Sequence, residues 1–190
     1  MLEELNKIKE LNLVTDNKIF YSAVFSKEHL TKLFNELKNN ESLGFNQLID
    51  ITAIDHPSKE KRFELVYILL SMKQNKRVIL KTHLEENDNI DSLTEIFQAS
   101  NWYERECYDL FGIKFNKHPD LRRIMTDYNF EGFPLRKDFP LTGHTEVRYD
   151  DVEKKVVYEP VKLTQEYRDF DYTSPWEGMT KGIDDQSEQE

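Results

Sequence analysis

Cysteine is nearly missing from this 190-residue chain: Cys107 stands alone, so no internal disulfide can form and a reducing compartment is expected. The five histidines, His29, His56, His83, His118 and His144, are scattered singly, which leaves no zinc or iron–sulfur ligand spacing. Only six glycines occur, and none stands in a GxGxxG or GxxxxGK run that would cradle a phosphate. A GxSxG nucleophile elbow is absent too. The longest apolar run, Leu65 to Leu70, has the length of a strand and not of a bilayer span. The opening MLEELNKIKE carries acids and no apolar core, unlike a secretory signal or a transit peptide. A net charge of −10 argues against nucleic acid or an anionic membrane surface as the main partner. These absences describe a soluble, intracellular protein with no cofactor site or nucleophile of its own.

With 38% hydrophobic and 33% charged residues, the chain can bury one core of modest size. Leu2, Leu5, Ile8 and Leu11 recur every third residue and predict a short helix over 2–11. Residues 18–25 (KIFYSAVF) are β-prone. Ser26 then reads as the N-cap of a helix whose stripe is Leu30, Leu33, Phe34 and Leu37, stopped by Asn39, Asn40 and Gly44. Three strands are expected over 45–54, 62–72 and 77–84, the last two joined as a hairpin through 73–76. Residues 62–72 are apolar on both faces, as an interior strand requires. In 77–84, Val78, Leu80, Thr82 and Leu84 alternate with Arg77, Ile79, Lys81 and His83, so one face is solvated.

Two helices are expected over 92–97 and 102–111. The fold class is α+β: residues 1–112 form a small mixed sheet of about four strands with helices on one face. Residues 113–178 read as a long extended segment, with a hairpin within 146–163, and 179–190 as a disordered tail.

Few residues tempt a catalytic reading. Glu104 and Glu106 are two apart on a helix and diverge by about 200°, so they cannot flank one substrate. They read as a polar helix face, beside an i,i+4 pair of Arg105 with Asp109. Cys107 has the spacing of a small core residue. His118, before Pro119-Asp120, could serve as a base, but a lone histidine in an extended segment is more often a hydrogen-bonded structural or interface residue.

Residues 113–143 are locally basic in an acidic chain, with six Lys/Arg against four Asp/Glu, and Phe115, Tyr128, Phe130, Phe133 and Phe139 are interleaved. Arginine plus aromatics is the composition of interface hot spots. Ordering about thirty residues costs on the order of 30–60 kcal/mol of backbone entropy, which local structure cannot offset. The segment is therefore expected to leave the α+β layer at Gly112 and lie on a partner, folding back on its own layer being the bland alternative.

Several runs resemble a known family. These are Glu104-Arg105-Glu106, Asp109-Leu110-Phe111-Gly112, His118-Pro119-Asp120-Leu121-Arg122-Arg123-Ile124 and residues 132–140 (GFPLRKDFP). With Glu146-Val147-Arg148-Tyr149-Asp150, Ser174-Pro175-Trp176-Glu177 and the upstream runs 48–55 and 63–67, they closely match the C-type subunit family of respiratory NADH:quinone oxidoreductase. The resemblance covers about residues 17–178. It implies a non-catalytic structural or assembly subunit of a proton-translocating complex, at the cytoplasmic face of a bacterial inner membrane or the matrix face in mitochondria. Such a subunit binds no cofactor, since FMN and iron–sulfur clusters sit in sister subunits. Its partners would be the hydrogenase-like sister subunit, which the C-terminal part wraps, and the iron–sulfur subunits of the quinone module. Membrane association would come only through the complex. The candidate interface residues are then Glu104, Arg105, Glu106, Asp109, His118, Arg122, Arg123, Arg136, Lys137 and Phe139. The arginines and Lys137 would meet partner carboxylates, and the aromatics would fill partner grooves. The same resemblance leaves open an equivalent subunit of a membrane-bound hydrogenase or another quinone-reducing complex. A free-standing enzyme using Glu104, Glu106 and His118 is the remaining alternative.

Overall fold

The computed structural model describes residues 2–16 and 20–165. The start of the strand expected at Lys18, the match at 174–177 and the tail at 179–190 lie outside the described residues.

Helix formation stops early at the N-terminus. Helix α1 spans Leu2–Asn6 only, and the chain then turns into strand β1, Leu11–Asp16. Leu11, expected on a helix, instead opens an edge strand paired antiparallel to β2, Phe20–Phe25. The reason is non-local: LNLVTD is β-prone, and β2 supplies the ladder that spacing alone cannot reveal. After β2, a 3₁₀ turn over Lys27–His29 leads into helix α2, Leu30–Asn39. Ser26 sits before that turn, but its hydroxyl bonds to the Glu28 carboxylate and caps no backbone amide. The expected stripe of Leu30, Leu33, Phe34 and Leu37 is buried.

Strands β3 (Gln47–Asp55), β4 (Phe63–Ser71) and β5 (Lys76–Leu84) form an antiparallel meander. Strand β2 then adds to β5 in parallel, Phe20 to Val24 against Arg77 to Lys81. The five-stranded sheet has the order β1-β2-β5-β4-β3. The missed β1 is the difference from the four strands expected. As expected, β4 is interior and buried on both faces, whereas β5 alternates.

Both long helices cover the same sheet face. Phe34 of α2 stacks edge-on to Phe25 and Tyr67. Helix α3, Ser100–Phe111, rests on β3, where the Cys107 thiol donates to the carbonyl of Ile51 at 3.3 Å. Cys107 is thus a core residue. Residues 92–97 form a single turn and not a helix: Phe97 N–H donates to Leu93 O at 2.8 Å, the Ser92 hydroxyl accepts the amide of Thr94, and Leu93 N–H is drawn to Glu104. Leu93, Ile96 and Phe97 carry helical spacing yet are buried from turns. Short strands β6 (Asn89–Asp91) and β7 (Lys114–Asn116) pair in parallel around α3.

The chain divides into two units, 1–143 and 144–190. In the second, β8 (Thr145–Asp150) and β9 (Lys155–Pro160) make an antiparallel hairpin. Residues 113–143 belong to the first unit, so the chain does not part from its own core at Gly112.

Candidate functional site

The segment after α3 is tied to the core by buried polar side chains, beginning with Asp109. An acid in the last turn of a helix opposes the helix dipole, so Asp109 needs other donors. It is fully buried and has them. Its Oδ2 accepts the amides of Ile124, Met125 and Thr126 at 3.0, 2.6 and 2.8 Å, and its Oδ1 accepts the Thr126 hydroxyl and Arg123 Nη1 at 2.5 and 2.8 Å. Burial raises the pKa of this carboxyl, but the donors of Thr126, Arg123 and Ile124 outweigh it and hold the group far below the carboxylate range. One side chain thereby satisfies a turn that has no ladder of its own.

The expected Arg105–Asp109 pair does not form. Arg105 instead donates to the carbonyls of Arg122 and Arg123, both at 3.2 Å, and stacks on Trp102. Arg123 also donates to Gly132 O at 3.0 Å and lies over Phe130 and Phe133. Arg136 reaches back to Phe111 O at 2.7 Å and to Glu86 at 2.8 Å, its plane on Phe133 and Phe63. Gly112 makes this close approach feasible. Its φ is +81°, and a Cβ there would stand 2.7 Å from both Arg136 Nη2 and the Phe133 ring.

A second fastening lies further along. Asp55 accepts both Nε and Nη2 of Arg62, at 2.8 and 2.9 Å, and the amide of Lys137 at 2.7 Å. Arg62 also meets Asp138 at 2.9 Å and Glu86 at 3.2 Å. Hydrogen bonding to Arg62 and to the Lys137 amide keeps the Asp55 pKa below its ordinary value, against the effect of burial. Phe139 closes the segment, its ring beside Phe130 and against Gly132.

Of the ten candidate residues, the structure turns Glu104, Arg105, Asp109, His118, Arg123 and Arg136 inward, leaves Glu106 and Phe139 half-buried, and exposes Arg122 and Lys137. Glu104 and Asp109 are fully buried and Arg105 nearly so, which overturns the reading of Glu104, Arg105 and Asp109 as a polar helix face. Among the described residues, the Arg122 side chain pairs with Asp120, both more than half exposed. His118 is held as a structural residue, between Asn101 O and the Asp120 amide, each at 3.1 Å. Sequence reasoning missed Asp55, Arg62, Glu86 and Asp138. Their one visible signal was an acid at a strand end facing a basic residue across the Asp55-His56-Pro57 turn. Among the described residues, no group of three or more His, Cys, Asp or Glu side chains could hold a metal ion, and no helix is long and apolar enough to cross a membrane.

The hairpin is of another kind. Val147 faces Tyr158 and Tyr149 faces Val156, so these two neighbouring pairs make an apolar and aromatic patch on one side of it. These four residues are 52–60% exposed. The other side carries Arg148 with Glu159 at 2.6 Å and with Asp150 at 3.4 Å, and Asp150 holds the turn through the amides of Val152 and Glu153.

This arrangement can bind and brace. The model of the family described as respiratory-chain NADH dehydrogenase, 30 Kd subunit, matches residues 23–145. A protein of Hyphomonas neptunium, named as the C-type subunit of NADH-quinone oxidoreductase, is 54% identical over 157 residues, which is 83% of this chain and 78% of that one. The protein of the same name from Ruegeria pomeroyi is 56% identical over 150 residues, 79% of this chain and 75% of its own. Among solved structures, the trypsin-resistant fragment (1-134) of Nqo5 superposes with a TM-score of 0.54 at 30% identity, over 63% of this chain and 96% of the fragment. A chain of an archaeal membrane-bound sulfane sulfur reductase shares the fold, with a TM-score of 0.63 at 23% identity over 73% of this chain and 82% of that one. The matched span takes in most of the sheet, α3 and the pinned segment after it, and on that ground the chain belongs to the family of the respiratory-chain NADH dehydrogenase 30 Kd subunit.

Proposed function

We propose that this chain is a non-catalytic structural subunit of a proton-translocating NADH:quinone oxidoreductase, braced by its α+β unit and joined to a sister subunit by its hairpin. The observation that carries the reading is the apolar face of Val147, Tyr149 and Val156. A lone two-stranded hairpin is marginal in water, and burying each such side chain contributes about 1.5–3 kcal/mol. A face like this is built to be covered. The relatives are named as subunits of an NADH-quinone oxidoreductase, which makes another member of that complex the natural cover. The hydrogenase-like sister subunit is the proposed partner, with the iron–sulfur subunits of the quinone module beside it. FMN and the clusters belong to those neighbours, and this chain holds none of them. It reaches the cytoplasmic face of the membrane through the complex alone.

The test is co-purification of the tagged chain from its native membrane. Replacing Val147→Asp together with Val156→Asp is expected to abolish recovery of the hydrogenase-like partner with a still-folded chain. Unchanged recovery would overturn the reading. An NADH-oxidising flavin subunit in the wild-type preparation separates this assignment from a hydrogenase-type complex.

A further inference from the structure

The core cluster draws from the strands only residues of the sheet face that α2 and α3 cover. The opposite face of a sheet covered on one side is ordinarily polar. Here its middle is apolar. Val66, Ile68 and Leu70 of β4 run down it, Ile79 of β5 stands beside Ile68, and Val24 of β2 and Ile54 of β3 lie further out. Val66 is 7% exposed yet belongs to no core cluster, Ile68, Leu70 and Ile79 are half-buried, and Ile54 is 42% exposed.

The charges on this face sort by strand. Arg77, Lys81 and His83 stand on β5, and Asp50 stands on β3. At one end Glu64 answers its neighbours: Lys81 Nζ donates to its Oε1 at 2.6 Å, and Nε2 of His83 and of His56 lie 3.5 and 3.7 Å from its Oε2. At the other end Arg77 pairs in register with Leu70, and Asp50 with Ile68, so the two flank the apolar stripe on opposite sides. Among the described residues neither has an ion-pair partner. The face thus offers an uncompensated cation on one flank and an uncompensated anion on the other.

The dimensions choose the occupant. From Val66 to Leu70 the stripe runs about 14 Å, and β4 with β5 is about 10 Å across, the length of about two and a half helical turns and the width of one helix. A second sheet would cover the whole face and take Lys81 and Glu64 out of water with it, at a cost in desolvation. A single helix leaves that pair at its rim.

We infer that this stripe seats an amphipathic helix of a neighbouring subunit, with its apolar side on β4 and β5, an Asp or Glu meeting Arg77 and a Lys or Arg meeting Asp50. The inference rests on the reading of the chain as a subunit, and it gives that subunit a second docking surface, made by the sheet and not by the hairpin. The apolar residues of the helix recur three and four apart.

The experiment places a photoreactive phenylalanine analogue at Thr52, an exposed position in register with Val66, and irradiates the complex purified from its native membrane through the tagged chain. The expected product joins Thr52 to a peptide of another subunit that has this apolar spacing, with an acid on one flank and a base on the other. Arg77→Glu, a change at an exposed position that leaves the fold intact, is expected to abolish the product while the hydrogenase-like partner is still recovered. A product within the chain itself, with a second copy of it, or with a peptide lacking that pattern overturns the inference. So does the absence of any product from a preparation that contains the hydrogenase-like partner, which leaves the subunit reading standing. A preparation without any partner subunit overturns both.

Discussion

The segment at 113–143 and the hairpin at 144–165 look alike as sequence, both short of periodicity and mixed in charge and aromatics. Their side chains behave oppositely. In 113–143 Arg123 and Arg136 turn inward, and buried acids of the core hold the backbone: Asp109 gathers three amides and Arg123, and Asp55 with Arg62 holds the Lys137 amide and Asp138. In the hairpin the charges pair among themselves on one side and the apolar residues face out. What separates bracing from docking is therefore where the partner of each charge sits, and composition does not reveal it.

The sharpest way to break this contrast is Asp109→Ala. It strands three amides and a largely buried arginine, and should cost about 3–5 kcal/mol in urea unfolding. A loss under about 1 kcal/mol would mean the segment is not braced. Next is pH. The Glu104 carboxyl is raised on folding, so the folded state holds more protons, and its contribution is full below about 4.5 and lost as pH rises through about 7. Unfolding free energy should fall across that window by on the order of 3 kcal/mol at most, and Glu104→Gln should flatten it. Asp55 and Asp109 act with the opposite sign. Their pKa values are lowered on folding, so their contribution is present above about 3.8 and fades as pH falls.

Gly112→Ala forces a positive φ on a side chain that meets Arg136 and Phe133, and is expected to cost about 1–3 kcal/mol, read as a lowered melting temperature. The smallest effect belongs to the hairpin. Val147→Asp with Val156→Asp should leave the unfolding transition of the first unit within about 0.5 kcal/mol of wild type, since exposed positions away from core features tolerate change. A loss as large as that of Asp109→Ala would erase the difference between the two regions.

Much of the fold was legible where apolar spacing and burial coincide. The α2 stripe, the β4–β5 hairpin and the alternation along β5 follow from period alone. Strand β1 was hidden because Leu11 continues a spacing that also suits a helix, and its pairing depends on β2. Residues 92–97 imitate a helix for a similar reason, but they close a single turn, Phe97 N–H on Leu93 O, before the pattern breaks off. The site was harder. Asp109 was matched to Arg105 one turn away, but its partners lie 14 to 17 residues later. The clue was its position: an acid at the C-terminal end of a helix is misplaced unless something beyond the helix donates to it.

The sheet also dictates an order of assembly. Strands β1 and β2 form one local ribbon, β3, β4 and β5 another, and each can close soon after its own residues leave the ribosome. The two ribbons meet along a single parallel seam, Phe20 to Val24 on Arg77 to Lys81, with α2 and most of the meander in between. That seam is the long-range encounter of the sheet, and pairing between strands so distant in sequence slows folding.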